Sequence, residues 1–369
     1  MIEPVLEKEI INTGLGDICD KVLTGKRLNY LDGLRLFVAE NILAVGALAN
    51  IVRERLHGNR TYFIRNQHIN YSNICINGCF FCAFSRKGKG DSGYEMSLEE
   101  IFDKVKERLN QPITEIHIVG GLNPNLPYGY YTDMLKGIKR IRKDVHIQAF
   151  TCVEIAFIAE QFGKSVEDVL IEFREAGLGS IPGGGAEVFS TRVRGELCSR
   201  KLSPAGWLFV AKTAHRLGIR TNATMLYGHI ENLEERVEHL IRLRSAQDES
   251  GGFVTFIPLA FHPDNTRLYR IKRTTGIDDL KTIAVSRLLL DNFPHIKPFW
   301  IMIGPKMSQL AQSFGANDMD GTVIEEKITH MAGAETAEEM AVDEIVSLIR
   351  GAGRIPIERD TLYNEIKRY

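Results

Sequence analysis

The first 60 residues follow a helical pattern of apolar positions. Apolar side chains recur at spacings of three and four residues, which places them on one face of a helix. They are Leu31, Leu34, Val38, Ile42, Val45, Leu48 and Val52. Gly58 and Asn59 follow, a pair that typically ends a helix. We therefore predict a helical N-terminal extension over residues 1–60.

From residue 62 onward, short apolar runs alternate with longer amphipathic segments. The runs predict strands at 63–73, 115–119, 146–150, 178–182, 220–226, 253–259 and 299–303. Ser97 and Glu100 have the spacing of a capping box, so a helix is predicted to begin there. Another is predicted after Ser203, because Pro204 suits the first helical position. Further helices are predicted at 129–142, 231–247 and 277–292.

Alternating strands and helices indicate a parallel sheet covered by helices, which is an α/β fold. Six or more such units between residues 61 and 304 favour a (βα) barrel of the TIM type. An open doubly wound sheet is the alternative. It would require a phosphate-binding turn after the first strand, and neither a Walker loop nor a G-x-G-x-x-G motif stands there. We predict a barrel core at 61–304 and a mainly helical C-terminal extension at 305–369 that packs on it.

Charge and composition exclude several classes of partner. The chain has 46 Lys and Arg against 47 Asp and Glu, a formal net charge of −1, so no global field attracts nucleic acid or an anionic membrane. Glu3, Glu7 and Glu9 stand where a secretory signal would be basic and then apolar. The apolar stretch 34–52 contains Arg35 and Glu40 and is too polar to span a bilayer. We predict a cytoplasmic protein with no nucleic-acid or membrane partner.

Three of the six cysteines stand close together. Cys75, Cys79 and Cys82 form a C-x3-C-x2-C motif after the first predicted strand. Three thiolates on one loop can converge on a soft metal centre, and a [4Fe–4S] cluster normally takes four cysteine ligands. No fourth cysteine is near in the sequence, so one iron would stay open for a ligand. Barrel active sites lie at the carboxyl ends of the strands, where this loop is predicted to be.

Two other interpretations of the cysteines stay open. Structural zinc takes four ligands, typically including paired cysteines, but no second pair is present and the nearest histidine, His68, lies within a predicted strand. The cysteines could also be unligated buried thiols. A zinc-binding protein without enzyme activity is therefore the alternative from another class.

The C-x3-C-x2-C motif after the first strand of a (βα) barrel resembles the radical S-adenosylmethionine (SAM) superfamily. The resemblance implies a [4Fe–4S] cluster on Cys75, Cys79 and Cys82, with SAM bound to the open iron. One electron then cleaves SAM to methionine and a 5′-deoxyadenosyl radical. A low-potential electron donor such as flavodoxin or ferredoxin is implied as a partner.

The same resemblance assigns cofactor-binding residues. Phe81 stands at the aromatic position near the adenine. Gly120 and Gly121 match a glycine pair beside the methionyl amino group, although Leu122 stands where an acidic residue often follows. Glu187 is the candidate for the ribose.

Three further residues are cofactor-binding candidates with open alternatives. Gly184 belongs to a glycine run that either admits a ligand to the backbone or forms a strand-end turn. Glu154 is either a ligand contact or a helix cap, and a capping role is equally open for Glu187. Asn222 lies at a predicted strand end.

Longer stretches narrow the resemblance within the superfamily. They are NICINGCFFCAFSR, HIVGGLNP, AFTCVEI, SIPGGGAEVFS, NATMLYGH, FIPLAFHP and DMDGTVIEEKITHMAGA. They look like the aminofutalosine synthases of the futalosine route to menaquinone. Dehypoxanthine futalosine cyclases and the enzymes that join tyrosine to a deazaflavin precursor share the PGGGAE run. Segments 222–229 and 256–263 favour the synthase, because a cyclase is expected to carry Trp and Gln in the second segment.

The narrower resemblance implies a reaction. The substrate is 3-[(1-carboxyvinyl)oxy]benzoate, and the adenosyl radical adds to its vinyl double bond. The aryl group migrates by ipso attack, an electron returns and a carboxylate leaves, which gives 6-amino-6-deoxyfutalosine. SAM is thereby consumed as a building block in a transferase reaction. In the rival cyclase the radical abstracts hydrogen and leaves as 5′-deoxyadenosine.

This substrate carries two carboxylates, which call for cationic or hydrogen-bonding groups. Arg86, just after the cysteine motif, is the first candidate, and a surface position in a basic stretch is its equal alternative. Arg267 is a second candidate. His229 and His262 follow predicted strands, and an imidazole there can move protons near neutral pH. The catalytic candidates are therefore Arg86, His229 and His262.

Overall fold

The main sheet of the protein contains only parallel strands. The computed structural model describes residues 10–369. Seven strands pair in the order β2-β3-β4-β5-β6-β7-β8. They are β2 (Asn66–Ile69), β3 (Glu115–Ile118), β4 (His146–Ala149), β5 (Ser180–Ile181), β6 (Arg220–Tyr227), β7 (Phe253–Ala260) and β8 (His295–Ile296). This topology confirms the predicted α/β class.

A second sheet has the order β11-β10-β1-β9. Its strands are β1 (Arg60–Ile64), β9 (Asp318–Gly321), β10 (Ile355–Arg359) and β11 (Glu365–Arg368). The chain around β9 also contacts both edges of the main sheet. Asn317 N donates to Ile296 O at 3.1 Å, and His68 N donates to Ile324 O at 2.8 Å. The C-terminal segment therefore links the first and last strands of the main sheet and completes the barrel wall.

Helices cover the main sheet and both of its ends. They are α1 (Gly16–Thr24), α2 (Tyr30–Val38), α3 (Ile42–His57), α4 (Leu98–Glu107), α5 (Tyr128–Ile141), α6 (Cys152–Gln161), α7 (Val166–Ala176), α8 (Thr191–Leu197), α9 (Pro204–Arg216), α10 (Leu233–Ser250), α11 (Gly276–Leu289), α12 (Trp300–Ile303), α13 (Pro305–Ala311), α14 (Ile328–Met331) and α15 (Val342–Gly351). Short turns of π- and 3₁₀-helix occur at Ile11–Leu15 and Lys89–Asp91.

The predicted helix starts at Ser97 and Ser203 are confirmed. Ser97 Oγ accepts a hydrogen bond from Glu100 N at 3.2 Å, and Glu100 Oε2 accepts one from Ser97 N at 2.6 Å. Ser203 Oγ accepts from Gly206 N at 3.1 Å, with Pro204 in the first turn of α9. Both caps satisfy N–H groups that the first helical turn leaves without partners.

We expect Ser97→Ala to destabilise the protein, because the first turn of α4 loses its hydrogen-bond acceptor. Loss of a serine cap costs about 1 kcal/mol. The midpoint of urea unfolding should fall, whereas Ser97→Asn, which keeps an acceptor, should unfold close to the wild type. Equal midpoints for Ser97→Ala and the wild type would show that this cap does not contribute to stability.

Two strand predictions are wrong in detail. The run 63–73 divides, because β1 joins the second sheet and β2 begins the main sheet. The run 299–303 forms helix α12, which ends at Gly304 with φ 81°. Strands of parallel sheets are buried on both faces and read as continuous apolar runs. Such short runs do not distinguish a strand from a buried helical turn.

The N-terminal apolar positions do not form one helix face. Leu31 and Val38 are each 65% exposed. The chain leaves the helical conformation at Ala39, and α3 begins after Asn41, whose side chain accepts from Ala44 N at 3.0 Å. Because of this break, the direction in which one helix faces does not fix the direction in which the other faces. A single 3.6-residue period therefore does not describe the apolar positions of both helices.

The C-terminal residues are less helical than predicted, because they contribute β9, β10 and β11 besides helices. Pairing of β1 with β10 joins residues about 300 positions apart, which local pattern does not reveal. The boundaries at residues 60 and 304 stay a prediction.

Within residues 10–369, no helix combines the length and apolar character that a membrane crossing requires. The acidic positions Glu3, Glu7 and Glu9, and the start of the predicted helical extension, lie outside the described residues.

Candidate functional site

A cavity of about 330 Å³ lies inside the barrel wall and reaches the cysteine loop after β2. Most of the residues singled out in the sequence line it. They are Cys75, Cys79, Phe81, Cys82, Gly120, Gly121, Glu154, Gly184, Glu187, Asn222 and His262. The structure therefore brings the cysteine motif, the glycine runs and the polar strand ends to one site.

Backbone hydrogen bonds fix the loop that carries the three cysteines. Cys75 N donates to Arg86 O at 2.9 Å, and Ile76 N donates to Leu122 O at 3.2 Å. At the other end of the loop, Phe80 N donates to Leu197 O at 2.9 Å. The loop is thus hydrogen-bonded to the chain segment at Arg86, to the segment that follows β3 and to the end of α8.

The three cysteines of the motif line one cavity, where their thiols could serve as ligands of an iron–sulfur cluster. All three line one cavity wall, and burial raises the pKa of Cys82 to about 11, so its thiolate needs a cation for stabilisation. Among residues 10–369, no three His, Cys, Asp or Glu side chains are arranged to hold one metal ion. A cluster instead binds each thiolate through a different iron.

Cys198 is a cysteine neighbour that the sequence did not reveal. It is buried in the turn after α8, and its thiol hydrogen-bonds with that of Cys79. The sequence separates these residues by more than 100 positions, so their contact depends on the fold.

The glycine pair at the end of β3 allows close packing. A Cβ on Gly121 would lie 2.2 Å from Ile74 O, and one on Gly120 would lie 2.6 Å from the Tyr71 ring. Gly121 N also donates to Ser72 O at 2.7 Å. Both glycines therefore let the end of β3 contact the chain that leads into the cysteine loop.

We expect Gly121→Ala to displace the segment before Cys75, because the clash is with backbone and no side chain can move aside. Overpacking of this kind costs about 1–3 kcal/mol. Compared with the wild type, Gly121→Ala should have both a lower free energy of unfolding and a lower iron content after anaerobic reconstitution. Gly88→Ala is the matched control, since a Cβ there meets nothing within 4 Å. Wild-type iron content in Gly121→Ala would contradict this packing role.

Glu154 caps a helix and also supports the glycine pair. Its Oε2 accepts from Thr151 N at 2.7 Å in a capping box at the start of α6. Its Oε1 accepts from Tyr71 OH at 2.8 Å and from Gly120 N at 3.0 Å. Burial raises the pKa of Glu154, and these donors oppose that rise. Of the two roles considered for Glu154, the structure therefore shows the helix cap, and the same carboxylate also holds Gly120 in place.

Glu187 does not cap a helix. Ser190 caps α8, and its side chain accepts from Val193 N. Glu187 Oε1 instead lies 2.5 Å from Lys201 Nζ, with both side chains largely buried. Lys201 Nζ also lies 5.4 Å from the centre of the Phe81 ring. Lys201 was not among the residues predicted from the sequence, because nothing in the local pattern distinguishes it from other lysines.

A buried polar layer forms the end of the cavity away from the loop. We call it the polar floor, and it consists of the buried residues His68, Gln148, Asn222, Lys297 and Asp320 and the partly buried His117. Register places His68 beside His117 and His117 beside Gln148 across neighbouring strands. Polar residues inside buried strands are a signal that sequence reasoning could have used.

The polar floor contains a buried ion pair and two neutral histidines. Lys297 Nζ lies 3.1 Å from Asp320 Oδ1, and Lys297 is 9% exposed. The rings of His68 and His117 stack with centroids 4.5 Å apart, and burial lowers the pKa of both. Asp320 adopts φ 64°, an unusual angle for a side-chain-bearing residue. Lysine and arginine side chains line the cavity only at Lys201 and Lys297 among the described residues.

The structure does not bring Arg86, His229 or Arg267 into the cavity. The Arg86 guanidinium donates to Ala83 O at 2.7 Å and to Ser85 O at 2.9 Å, so it holds its own loop. His229 lies against Glu231, with Nδ1 2.7 Å from Oε2, in a network that includes Arg236. Sequence position alone could not show which way these side chains point. We leave all three out of the proposed site.

His262 lines the cavity and has a buried ring nitrogen without a hydrogen-bond partner among the described residues. It is 8% exposed, and its Nε2 lies 2.8 Å from Met302 O. Because a carbonyl only accepts, Nε2 carries the hydrogen and Nδ1 presents a lone pair. Nδ1 has no hydrogen-bond partner within the described part of the chain. Burial lowers the pKa of His262, which keeps the ring neutral.

Comparison with known proteins defines the class. Residues 69–243 match the radical SAM superfamily, and residues 250–368 match the CofH/MqnC C-terminal region. The chain is 46% identical to aminodeoxyfutalosine synthase of Thermus thermophilus over 95% of both chains. It therefore belongs to the radical SAM superfamily, in the family that contains the aminodeoxyfutalosine synthases. This membership implies a [4Fe–4S] cluster and SAM.

Two further comparisons set the limits of that conclusion. A cyclic dehypoxanthine futalosine synthase of Halalkalibacterium halodurans is 38% identical over 95% of both chains. A solved methylornithine synthase superimposes with a TM-score of 0.74 at 19% identity, covering 92% of this chain and 96% of that one. The structural match supports the fold alone, and the family contains more than one reaction.

Proposed function

We propose that this enzyme transfers the adenosyl group of SAM to 3-[(1-carboxyvinyl)oxy]benzoate in menaquinone biosynthesis. The bond between sulfur and C5′ breaks, and C5′ bonds to the vinyl carbon. The aryl group moves from oxygen to carbon. With one water, the lost carboxylate leaves as bicarbonate, and the electron used to cleave SAM is returned, so that the overall reaction needs no net reductant. The products are 6-amino-6-deoxyfutalosine and methionine.

The observation that carries this proposal is that one cavity joins the three-thiol loop to the polar floor. When bound on Cys75, Cys79 and Cys82, the [4Fe–4S] cluster supplies the electron that cleaves SAM. A substrate between loop and floor has its double bond near the loop and a polar group near the floor. The apolar wall between them excludes water and stray hydrogen donors, as radical chemistry requires. That wall includes Leu226, Ile257, Leu259, Phe261, Phe299 and Met302.

SAM is proposed to bind at the loop end of the cavity. Phe81 offers a ring face for the adenine, and the glycine pair offers a close backbone approach. Glu187 supplies an acceptor for the ribose hydroxyls. Gly184 completes this set, whereas Asn222, the other cofactor candidate, belongs to the polar floor at the opposite end of the cavity.

The two substrate carboxylates are proposed to bind Lys201 and Lys297 in place of Arg86 and Arg267. These lysines carry the cationic groups that the cavity wall offers, and charge-assisted hydrogen bonds are stronger than neutral ones. Lys297 donates one hydrogen bond to Asp320, so further donors stay available for a ligand. His262 Nδ1 is proposed to accept a hydrogen bond from a ribose hydroxyl or a catalytic water.

Product analysis tests the proposal. Anaerobically reconstituted enzyme, SAM, dithionite and the enolpyruvyl benzoate should give a product with the mass of 6-amino-6-deoxyfutalosine. A parallel reaction contains dehypoxanthine futalosine in place of the enolpyruvyl benzoate. Free 5′-deoxyadenosine and a spiro-cyclised product in that reaction, with no adenosylated product in the first, would establish the cyclase reaction instead.

The alternative of another class is a zinc-binding protein without enzyme activity. A colourless protein that retains one zinc after anaerobic reconstitution with iron and sulfide would support it. We expect a brown protein whose iron and sulfide contents match a [4Fe–4S] cluster. We also propose a cytoplasmic location and a low-potential donor such as flavodoxin or ferredoxin, because reduction of the cluster requires one.

A further inference from the structure

An exposed basic surface borders the cysteine loop. We call it the Phe80 patch, and it consists of Phe80, Arg200, Arg267, Tyr269, Arg270 and Lys272. All six are exposed, with Phe80 at 41% and Tyr269 at 62%. The patch therefore offers two aromatic side chains together with four cationic ones to a binding partner.

Three chain segments meet at Phe80. Its N–H donates to Leu197 O at 2.9 Å, three residues before Arg200, and its carbonyl accepts from Arg267 N at 3.0 Å. The Arg267 guanidinium lies 4.7 Å from the centre of the Phe80 ring. Backbone contacts therefore hold Arg267, and the chain just before Arg200, against the loop, and Tyr269, Arg270 and Lys272 follow Arg267 within five residues.

The positive charge of the patch is not neutralised locally. Arg200, Arg267, Arg270 and Lys272 form no salt bridge with any described residue. Segment 267–273 reads RLYRIKR and contains no acid, and only Arg273 is paired, with Asp264. The whole chain has a formal charge of −1, so this local excess of positive charge differs from the balance of the chain as a whole.

The patch is also the surface that the chain connects most directly to the predicted cluster. Phe80 is bonded to Cys79, which is 9% exposed, so the loop presents its aromatic residue to solvent and its thiol to the cavity. Only one peptide bond separates the surface residue Phe80 from the predicted cluster ligand Cys79. An electron carrier bound on this face would therefore lie close to the cluster.

We propose that the Phe80 patch is the docking surface for an acidic low-potential electron-transfer protein. This inference rests on the proposed function, because it assumes a cluster on the adjacent cysteines. Electron-transfer encounters bury small interfaces, so a surface of this limited extent is large enough for one. Opposite charge raises the rate of encounter by about 10- to 1,000-fold at low salt.

The test compares charge reversal on the patch with charge reversal elsewhere. The variant Arg200→Glu/Arg270→Glu/Lys272→Glu avoids Arg267, which packs on the loop. The control Lys136→Glu/Arg140→Glu/Lys143→Glu reverses three exposed cations on or just after α5. The conservative variant Arg200→Lys/Arg270→Lys/Lys272→Arg keeps the charge. The probe is an acidic flavodoxin, and its affinity for reconstituted holoenzyme is measured directly at several salt concentrations.

We expect the patch variant to weaken flavodoxin binding by about tenfold or more at low salt. The control and the conservative variant should bind like the wild type, and wild-type affinity should fall as salt increases. SAM cleavage driven by dithionite should be the same in all four proteins. Equal affinity in the patch variant and the wild type, or equal loss in the control, would overturn the proposal.

Two further results separate this inference from its alternatives. A raised KM for the dicarboxylate substrate with unchanged flavodoxin affinity would show that the patch steers substrate, and the docking proposal would fail. Absence of product with dithionite in the wild type would refute the proposed function. The binding comparison would still decide whether the patch recognises the carrier.

Discussion

Cys79→Ala is expected to lose both the brown colour of the reconstituted enzyme and its ability to cleave SAM. Each thiolate of a three-cysteine site holds a different iron, so removal of one leaves the cluster with two protein ligands. Cys79 is the most buried of the three, and its neighbour Cys198 lies in the turn after α8 rather than in the loop. Iron and sulfide analysis, the visible absorbance and the yield of methionine from SAM measure the effect.

The matched control is Cys152→Ala. Cys152 is fully buried at the start of α6 and does not line the cavity. This variant should keep wild-type iron content even if its stability falls. Full iron content and SAM cleavage in Cys79→Ala, with Cys198 intact, would contradict the assignment. A follow-up Cys79→Ala/Cys198→Ala variant would then show whether Cys198 had replaced the missing ligand.

Lys297→Met is expected to weaken binding of 3-[(1-carboxyvinyl)oxy]benzoate by about 10- to 100-fold. A hydrogen bond to a charged group contributes about 1.5–3 kcal/mol, and the variant also leaves Asp320 unpaired beside the substrate carboxylate. Lys297→Arg, which keeps the cation, should recover part of the affinity. The measurement is the dissociation constant of the substrate on reconstituted enzyme, with SAM affinity measured in parallel.

A structural role for the ion pair would give a different result. The double variant Lys297→Met/Asp320→Asn removes both charges and so avoids a lone buried carboxylate. If Lys297 binds a substrate carboxylate, this variant stays folded and binds SAM but still binds substrate weakly. Wild-type enzyme should also bind a benzamide analogue of the substrate less tightly than the benzoate itself. This difference between the two dissociation constants should be smaller in the Lys297 variants. Unchanged substrate affinity in the folded double variant would contradict the role of Lys297.

The sequence predicted those features that depend on local pattern. Alternating apolar runs indicated the parallel sheet, and the serine at 97 with its partner at 100 indicated the start of α4. The cysteine spacing indicated a loop of thiols, because all of its ligands lie within eight residues. Each of these signals is contained in a short window, so no knowledge of the fold was needed.

Features that depend on long-range pairing were missed. Lys201 and Lys297 reach the cavity only because β5 to β8 close around it, and neither stands in a distinctive local pattern. The two cations proposed from the sequence for the substrate carboxylates, Arg86 and Arg267, do not line the cavity. For the same reason the run 63–73 was read as one strand, since its first half pairs with a strand near residue 357.

The central claim is that the adenosyl group of SAM becomes part of the product. The most direct test is a reaction with SAM that carries two deuterium atoms at C5′, followed by mass analysis of all adenosine-containing products. The account predicts one adenosyl group in each molecule of 6-amino-6-deoxyfutalosine, both deuterium atoms retained, and one methionine released per product. Free 5′-deoxyadenosine as the main product, with a hydrogen gained from the substrate, would contradict it.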